Sequence, residues 1–212
     1  MTATPITPNP RAARTRQALL AAGFELLAER PIDAIAIDAV VARAGVAKGS
    51  FFNHFKDKPG FAQALAEEVR AALEDRIDAA NAGLVDPVAR LVGGMRVAVT
   101  FALEERKRAI VMLRSMDAAT GQDHALNRGI RADLKALVAA GLARPEAARS
   151  GVRYWLGLCQ IIMTNIIERS PPRADAAIRL SEMLVLGLCG LGVSPDQARS
   201  AADAAAASLA TG

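Results

Sequence analysis

The stretch that decides the fold is residues 37–55, IDAVVARAGVAKGSFFNHF. Its first half places apolar side chains on one helical face, and Gly45 then supplies a residue that tolerates the left-handed backbone of a tight turn. A short helix is predicted next, over Lys48–Phe55, and its outward side chains are small or polar enough to enter the major groove of DNA, which is about 12 Å wide. This pattern predicts a helix-turn-helix over residues 36–55, and a surface helical hairpin is the alternative that a short motif leaves open.

Helices are predicted on both sides of this motif. One should cover Arg14–Glu29 and stop before Pro31, while Asp57 is a predicted N-cap, with Pro59 in the first turn of a long helix that reaches Ala80. The remaining predicted helices are Val88–Leu103, Arg106–Met116, Leu126–Ala140, Pro145–Arg169, Arg173–Leu191 and Pro195–Leu209, with a looser stretch at Ala118–His124. No segment alternates polar and apolar residues with a sustained period of two, so the predicted fold class is all-α.

Composition and charge divide the chain unevenly. The 212 residues have a net charge of +4, and the first 58 contain eight Lys or Arg against five acids, so most of the positive excess lies there. A basic N-terminal part favours a polyanionic partner. The predicted organisation is a disordered leader over residues 1–12, a basic three-helix domain with the helix-turn-helix over 13–73, and a larger helical domain over 74–212.

No membrane association is predicted. The two most apolar stretches, Trp155–Ile167 and Glu182–Val193, are shorter than the roughly 20 residues that a bilayer span requires. They are predicted to be buried helices of a soluble, cytoplasmic protein, and Cys159 and Cys189, one in each stretch, to be reduced buried thiols.

An ordered series of motifs resembles a known family. The segments are TRQALLAAGFELLAE from Thr15, then DAVVARAGVAKGSFFNHF, then KDKPGFAQAL. Over residues 15–67 they resemble the N-terminal domain of TetR/AcrR-family transcriptional regulators. The matching positions are Ala44-Gly45-Val46 at the turn, Gly49-Ser50, His54-Phe55, and Lys58 at the start of the next helix. The resemblance implies a homodimer that binds a palindromic double-stranded DNA operator, with a C-terminal domain that binds a small effector.

Three positions depart from the family's pattern. Phe52 stands where a Tyr is common, so a hydroxyl that would contact phosphate is missing. Ala36 and Ala47 stand where Ser or Thr often caps a helix, and each missing cap lowers stability by about 1 kcal/mol. Asp38 in the first turn offsets part of this loss through the helix dipole. We therefore expect DNA binding that relies on charge and helix dipoles and is sensitive to salt.

The candidate DNA-contacting residues lie in and around the second helix of the motif. Lys48 is expected at a base edge or an adjacent phosphate, and Lys58 at a phosphate beside a helix N-terminus. For His54 a purely structural role is the equal alternative. The full candidate set is Arg14, Ala36, Lys48, Gly49, Ser50, Phe52, Asn53, His54 and Lys58.

The larger C-terminal part contains no catalytic motif. His124 with Asp123 lacks a third metal ligand at useful spacing, so neither an enzyme, a cofactor nor a metal site is predicted. Apolar and sulfur-containing residues at helical spacing are either core or the lining of an apolar effector pocket. The candidate lining residues are Met95, Val99, Met112, Met116, Tyr154, Trp155, Cys159 and Met163. The candidate polar contacts are Arg153, Gln160, Thr164 and Asn165.

The last two long helices, over Pro145–Arg169 and Arg173–Leu191, each present a broad apolar face. Two such helices from each chain predict a four-helix interface across a two-fold axis, with packing inside one chain as the alternative. The predicted function is that of a repressor released by a small apolar effector. An activator of the same family, and an all-helical metabolite-binding protein or enzyme that does not bind DNA, are the alternatives.

Overall fold

The computed structural model describes residues 10–114 and 124–211, and within them the regular structure is entirely helical. The all-α prediction is confirmed. The α-helices are α1 (Pro10–Glu29), α2 (Ile37–Ala44), α3 (Lys48–Phe52), α4 (Lys58–Ala80), α5 (Pro87–Glu104), α6 (Arg106–Arg114), α7 (Arg128–Ala139), α8 (Ala147–Arg169), α9 (Arg173–Leu191) and α10 (Pro195–Thr211). Short 3-10 helices cover Ile32–Ala34 and Ala125–Asn127.

Capping residues account for several of the helix ends. The Asp57 carboxylate accepts a hydrogen bond from the backbone N–H of Gly60 at 2.8 Å and begins α4, as predicted. Asp86 caps α5 in the same way through the N–H of Val88 at 3.0 Å. Gly45 ends α2 with φ of 65°, the left-handed conformation that the turn requires.

Two boundaries near the motif differ from the predictions. Helix α1 begins at Pro10, so residues 10–12 are helical rather than part of a disordered leader. Helix α3 ends at Phe52 instead of Phe55, because the chain turns at Asn53 and directs Phe55 into the core, where its ring centroid lies 4.8 Å from that of Phe61. The predicted loose stretch at 118–124 falls outside the described residues except for His124.

Two hydrophobic cores meet along α4. Phe61 and Leu65 belong to the N-terminal core that is formed with α1, α2 and α3, whereas Val69 and Leu73, one to two turns later, belong to the larger C-terminal core. The same rigid helix is therefore part of both domains. The two cores separate within α4, a few residues before the predicted domain boundary at residue 73.

Helix α6 makes a second connection between the two parts. Val111 is fully buried in the N-terminal core, and the Arg114 guanidinium donates a hydrogen bond to the carbonyl oxygen of Leu27 at 2.8 Å. Helix α6 also packs against α4 and α8. A displacement of α6 would therefore change its contacts with α1 as well as those with the C-terminal helices.

Candidate nucleic-acid interface and internal cavity

The second helix of the motif is held from one side by an aromatic cluster. Phe51 is fully buried, and its ring centroid lies 5.5 Å from that of Phe55 and 5.2 Å from that of Phe61. These ring pairs fix the inward face of α3, so its opposite face must point to solvent. The N–H of Val46 bonds to the carbonyl of Val41 at 3.0 Å and closes the turn that sets α3 against α2.

The outward face of α3 contains most of the predicted contact residues. Lys48, Gly49 and Asn53 are exposed, and Ser50 is half-buried. The Phe52 side chain, at the position where a Tyr was expected, is 52% exposed although it is large and apolar. The structure therefore brings these five residues together on one accessible surface.

Lys48 is already paired within the chain. Its Nζ lies 2.8 Å from a carboxylate oxygen of Asp38 in the first turn of α2, and both side chains are well exposed. An exposed pair of this kind contributes at most about 1 kcal/mol to stability. Its larger effect is on position, because Asp38 holds the Lys48 ammonium over the N-terminus of α2.

Lys58 has a different environment from the one predicted. Its half-buried ammonium donates hydrogen bonds to the carbonyl oxygens of Ile35 at 3.2 Å and Asp33 at 3.4 Å. It thus joins the start of α4 to the end of the 3-10 helix Ile32–Ala34, which the sequence did not predict. An ammonium has three N–H donors, so one remains for a phosphate.

The other predicted contact residues lie on the elements next to α3 in the sequence or on α1. Ala36 and Ala47 are the N-caps of α2 and α3, and neither provides a side-chain cap, as their residue type implied. Arg14 is exposed on α1, with its Nε 3.4 Å from the carbonyl oxygen of Pro10. His54 is half-buried, with its ring centroid 6.2 Å from that of Phe55.

An internal cavity of about 400 Å³ lies between α4, α5, α6, α7 and α8. Much of its wall is apolar, and its size is within the range of small-molecule sites. Four of the predicted effector residues line it, namely Met112, Trp155, Cys159 and Met163. The predicted polar residue Gln160 lines it as well.

The remaining predicted lining residues are placed elsewhere. Met95 and Val99 are fully buried in the core of the C-terminal domain, because the face of α5 that borders the cavity contains Leu91, Gly94 and Ala98 instead. Tyr154 points to the outside of α8, where its hydroxyl donates to the carbonyl oxygen of Leu186 at 3.4 Å. Met116 lies outside the described residues. The other three predicted polar contacts do not border the cavity: Arg153, Thr164 and Asn165.

The polar part of the cavity wall was not predicted. On α4, Arg70 is only 5% exposed, and its guanidinium donates to Glu74 at 2.6 Å and to the side-chain oxygen of Asn127 at 3.1 Å. On α5, Arg90 donates to Asp133 of α7 at 2.6 Å. Asp78 also borders the cavity, and the α4 residues recur at intervals of three and four, which places them on one helical face.

Burial shifts the ionisation of several of these groups. It raises the pKa of Glu74, against the opposing effect of Arg70, and raises the pKa of Asp133, against the opposing effect of Arg90. It also raises the pKa of Cys159 to about 12, which keeps that thiol protonated at neutral pH. A carboxylate in such a wall gains from any additional hydrogen-bond donor.

Residues 10–114 and 124–211 contain neither a candidate metal site nor a candidate membrane span. No group of three or more His, Cys, Asp and Glu residues there is arranged to hold a metal ion. No helix in that part of the chain has the length and hydropathy needed to cross a bilayer.

Comparison with known proteins finds one family model and one curated relative that match part of the chain. The family model for the bacterial regulatory proteins of the tetR family matches residues 19–65. The transcriptional regulator AcuR of Cereibacter sphaeroides is 35% identical over 83 residues, which are 39% of this chain and 38% of AcuR. The match to this curated relative thus spans about two fifths of its length.

Solved structures extend the likeness of fold to nearly the whole chain. A putative tetR-family transcription regulator from Shewanella sp. PV-4 superposes with a TM-score of 0.73 at 19% identity, over 84% of this chain and 97% of that one. RolR in complex with resorcinol superposes with a TM-score of 0.65 at 23% identity, over 91% of this chain and 94% of that one. Both consist of the same arrangement of helices as this chain.

Proposed function

We propose that this chain is a member of the TetR family of bacterial regulatory proteins, whose family model matches residues 19–65, and that it acts as a homodimeric transcriptional repressor. Its dimer binds a palindromic operator in the cytoplasm and is released when a small, mainly apolar effector occupies the internal cavity. The observation that supports DNA binding most directly is the exposed, groove-sized face of α3 on a helix whose other face is fixed by Phe51.

Gly49 adds an independent argument for that face. Glycine in a helix is destabilising by roughly 0.5–1 kcal/mol relative to alanine. Among the described residues, nothing beyond its chain neighbours and the backbone of its own helix lies within 4 Å of where a Cβ at Gly49 would be. Nothing within the described chain therefore requires a glycine here. The close approach of a DNA backbone would require one.

The effector site borders the helix that leads to the DNA-binding face. Cavity-lining residues occur along α4 from Arg70 to Asp78, and the N-terminus of the same helix follows α3 after five residues. A ligand that fits one position of α4 better than another changes the population of the DNA-binding form in proportion to that preference. Helix α6 provides a second route, since Met112 borders the cavity and Val111 lies in the N-terminal core.

The dimer is proposed to form through α8 and α9. Large apolar side chains stand exposed on their outer faces: Ile161 and Ile178 are each 59% exposed and Leu186 is 68% exposed. The hydrogen bond from Tyr154 to Leu186 shows that the two faces adjoin. A second copy covering this surface forms a four-helix interface, and it sets two copies of α3 about 34–36 Å apart, one turn of DNA.

Replacing both Ile161 and Ile178 by glutamate is expected to convert the dimer into a monomer, because four carboxylates would be buried across the two-fold axis without partners. Sedimentation velocity measures this as a halving of the molecular mass. Val85→Glu is the matched control, since Val85 is an even more exposed apolar residue in the loop before α5. A double variant that retains the dimer mass, or a control that dissociates, would contradict the proposed interface.

The DNA-binding function itself is tested by selection from a pool of random duplexes with the full-length chain. We expect enrichment of an inverted repeat whose half-sites are about 10–10.5 base pairs apart, or a multiple of that spacing. Absence of any enriched sequence would instead favour a metabolite-binding protein or enzyme without DNA binding. Placing the selected sequence upstream of a reporter gene then separates a repressor from an activator by the sign of the change in expression.

A further inference from the structure

The cavity residues also indicate the chemical class of the effector. We infer that it is an apolar molecule with a hydrogen-bond donor, an alcohol, phenol or amine, and that the site excludes a carboxylate of the same size. This inference rests on the proposed function, which makes the cavity an effector site. Three observations support it: each guanidinium already donates through Nε and a second nitrogen to the protein, Glu74 and Asp133 each keep one oxygen to which no described residue donates, and the rest of the wall is mainly apolar.

Neither arginine of the wall offers a free fork to an anion. The Nε of Arg90 donates to Asp133, and its Nη1 donates to the carbonyl oxygens of Leu84 and Val85, each at 3.0 Å. Arg70 donates through Nε to Glu74 and through Nη2 to Asn127, so both of its two-donor edges contain an engaged Nη2 and only Nη1 has no partner among the described residues. Tight recognition of a carboxylate by arginine uses two parallel N–H donors, and here those donors are engaged by the protein itself.

The carboxylates of the wall, in contrast, have unused acceptors. Glu74 and Asp133 each receive their hydrogen bonds on a single oxygen, and no donor in the described part of the chain reaches Oε2 of Glu74 or Oδ2 of Asp133. Together with Asp78, the wall has three carboxylates against two guanidinium groups. A ligand O–H or N–H would satisfy a free oxygen, whereas a ligand carboxylate would add a like charge beside it.

The remaining wall is suited to an apolar body. Leu73, Met112, Trp155, Leu156 and Met163 border the cavity beside the polar groups. A small molecule with one apolar portion and one donor group would therefore contact both parts of the wall. Its donor would be directed toward α4, the helix that continues into the N-terminal domain.

Four probes of one skeleton test this inference: 2-phenylethanol, 2-phenylethylamine, phenylacetate and ethylbenzene. Trp155 is the only tryptophan of the chain and borders the cavity, so its fluorescence reports occupancy directly. We expect the alcohol and the amine to bind at least about tenfold more tightly than phenylacetate and more tightly than ethylbenzene. Phenylacetate binding as tightly as the alcohol would overturn the inference.

Glu74→Gln gives a second test, with Glu67→Gln as its matched control on the exposed side of α4. The glutamine keeps one oxygen for Arg70 but removes the negative charge. We expect the amine to bind at least about tenfold more weakly and phenylacetate to bind more tightly, because Arg70 loses its charged partner. If the variant binds all four probes more weakly by the same factor, the substitution acts through the structure as a whole, and a specific role of Glu74 is contradicted. The probe series on the unmodified chain remains decisive even then.

Different results would overturn the donor inference and the assignment of the cavity to the effector. If ethylbenzene and phenylacetate bind as well as the alcohol, the donor inference is wrong while the cavity remains an effector site. If none of the probes changes Trp155 fluorescence at probe concentrations up to about 10 mM, both the inference and the assignment of the cavity to the effector are overturned.

Discussion

Phe51→Ala is expected to lower the free energy of unfolding of the N-terminal domain by about 3–5 kcal/mol. Phe51 has no exposed surface, and its ring contacts the rings of Phe52, Phe55 and Phe61 with centroid separations of 5.2–5.5 Å. Truncation removes these contacts and leaves a cavity under α3, which has only five residues and little stability of its own. Urea denaturation followed by circular dichroism measures the loss.

The neighbouring residue provides the control. Phe52 has the same side chain at the next position, but it is half exposed, so Phe52→Ala is expected to change the free energy of unfolding by less than about 0.5 kcal/mol. Comparing the two variants distinguishes the two faces of α3, since Phe51→Ala changes the stability of the domain and Phe52→Ala changes only the DNA-facing surface. Equal losses of stability in both variants would show that the described orientation of α3 is wrong.

The geometry around this helix could largely be predicted because local chemistry determines it. Gly45 adopts the left-handed backbone that the turn needs, and Asp57 caps α4, so the motif is bounded by residues whose preferences do not depend on distant parts of the chain. The end of α3 was missed for the opposite reason. Phe55 leaves the helix to pack against Phe61, six residues further on, and helical periodicity contains no information about that contact.

The cavity could be predicted only in part, because helix faces are assigned by their neighbours. Helix α8 was identified from its large apolar residues, and Trp155, Cys159 and Met163 do border the cavity. On α5 the same reasoning selected Met95, whereas the cavity forms where the small residues Gly94 and Ala98 leave space. A cavity forms where side chains are small, so selecting positions with large side chains does not identify it.

The charged wall was missed because α4 was predicted only as a long helix after the motif, with no assignment of its polar residues. Arg70 and Glu74 are separated by four residues, a spacing typical of exposed ion pairs on a helix surface. Their burial follows from α5, α6 and the 3-10 helix Ala125–Asn127, which pack against α4, and Arg70 contacts Asn127 across a separation of 57 residues. Sequence separation of this size conceals the environment of the pair.

The second large effect is expected on DNA. Lys48→Ala combined with Ser50→Ala should weaken binding to the selected operator by at least about a hundredfold, because a hydrogen bond from a charged group contributes about 1.5–3 kcal/mol and the dimer loses it twice. If Lys48 binds a phosphate, the dimer also releases two fewer counterions, and the slope of log K against log salt concentration should fall by about 2. Fluorescence anisotropy over a series of salt concentrations measures both quantities. Lys135→Ala on α7 is the control, since that lysine is equally exposed but lies in the other domain.

The effect of Asp38→Asn on operator affinity distinguishes two roles for Lys48. The carboxylate of Asp38 lies 2.8 Å from Lys48 Nζ at a surface that faces phosphates, so it repels DNA while it positions the lysine. If Lys48 acts mainly as a charge, removing Asp38 tightens binding to every duplex and lowers the ratio of specific to non-specific affinity. If Lys48 instead reads a base edge in the geometry that Asp38 imposes, specific binding weakens while non-specific binding strengthens. Unchanged affinity in both the Lys48 and the Asp38 variants would remove α3 from the DNA interface, whatever the fold of the domain.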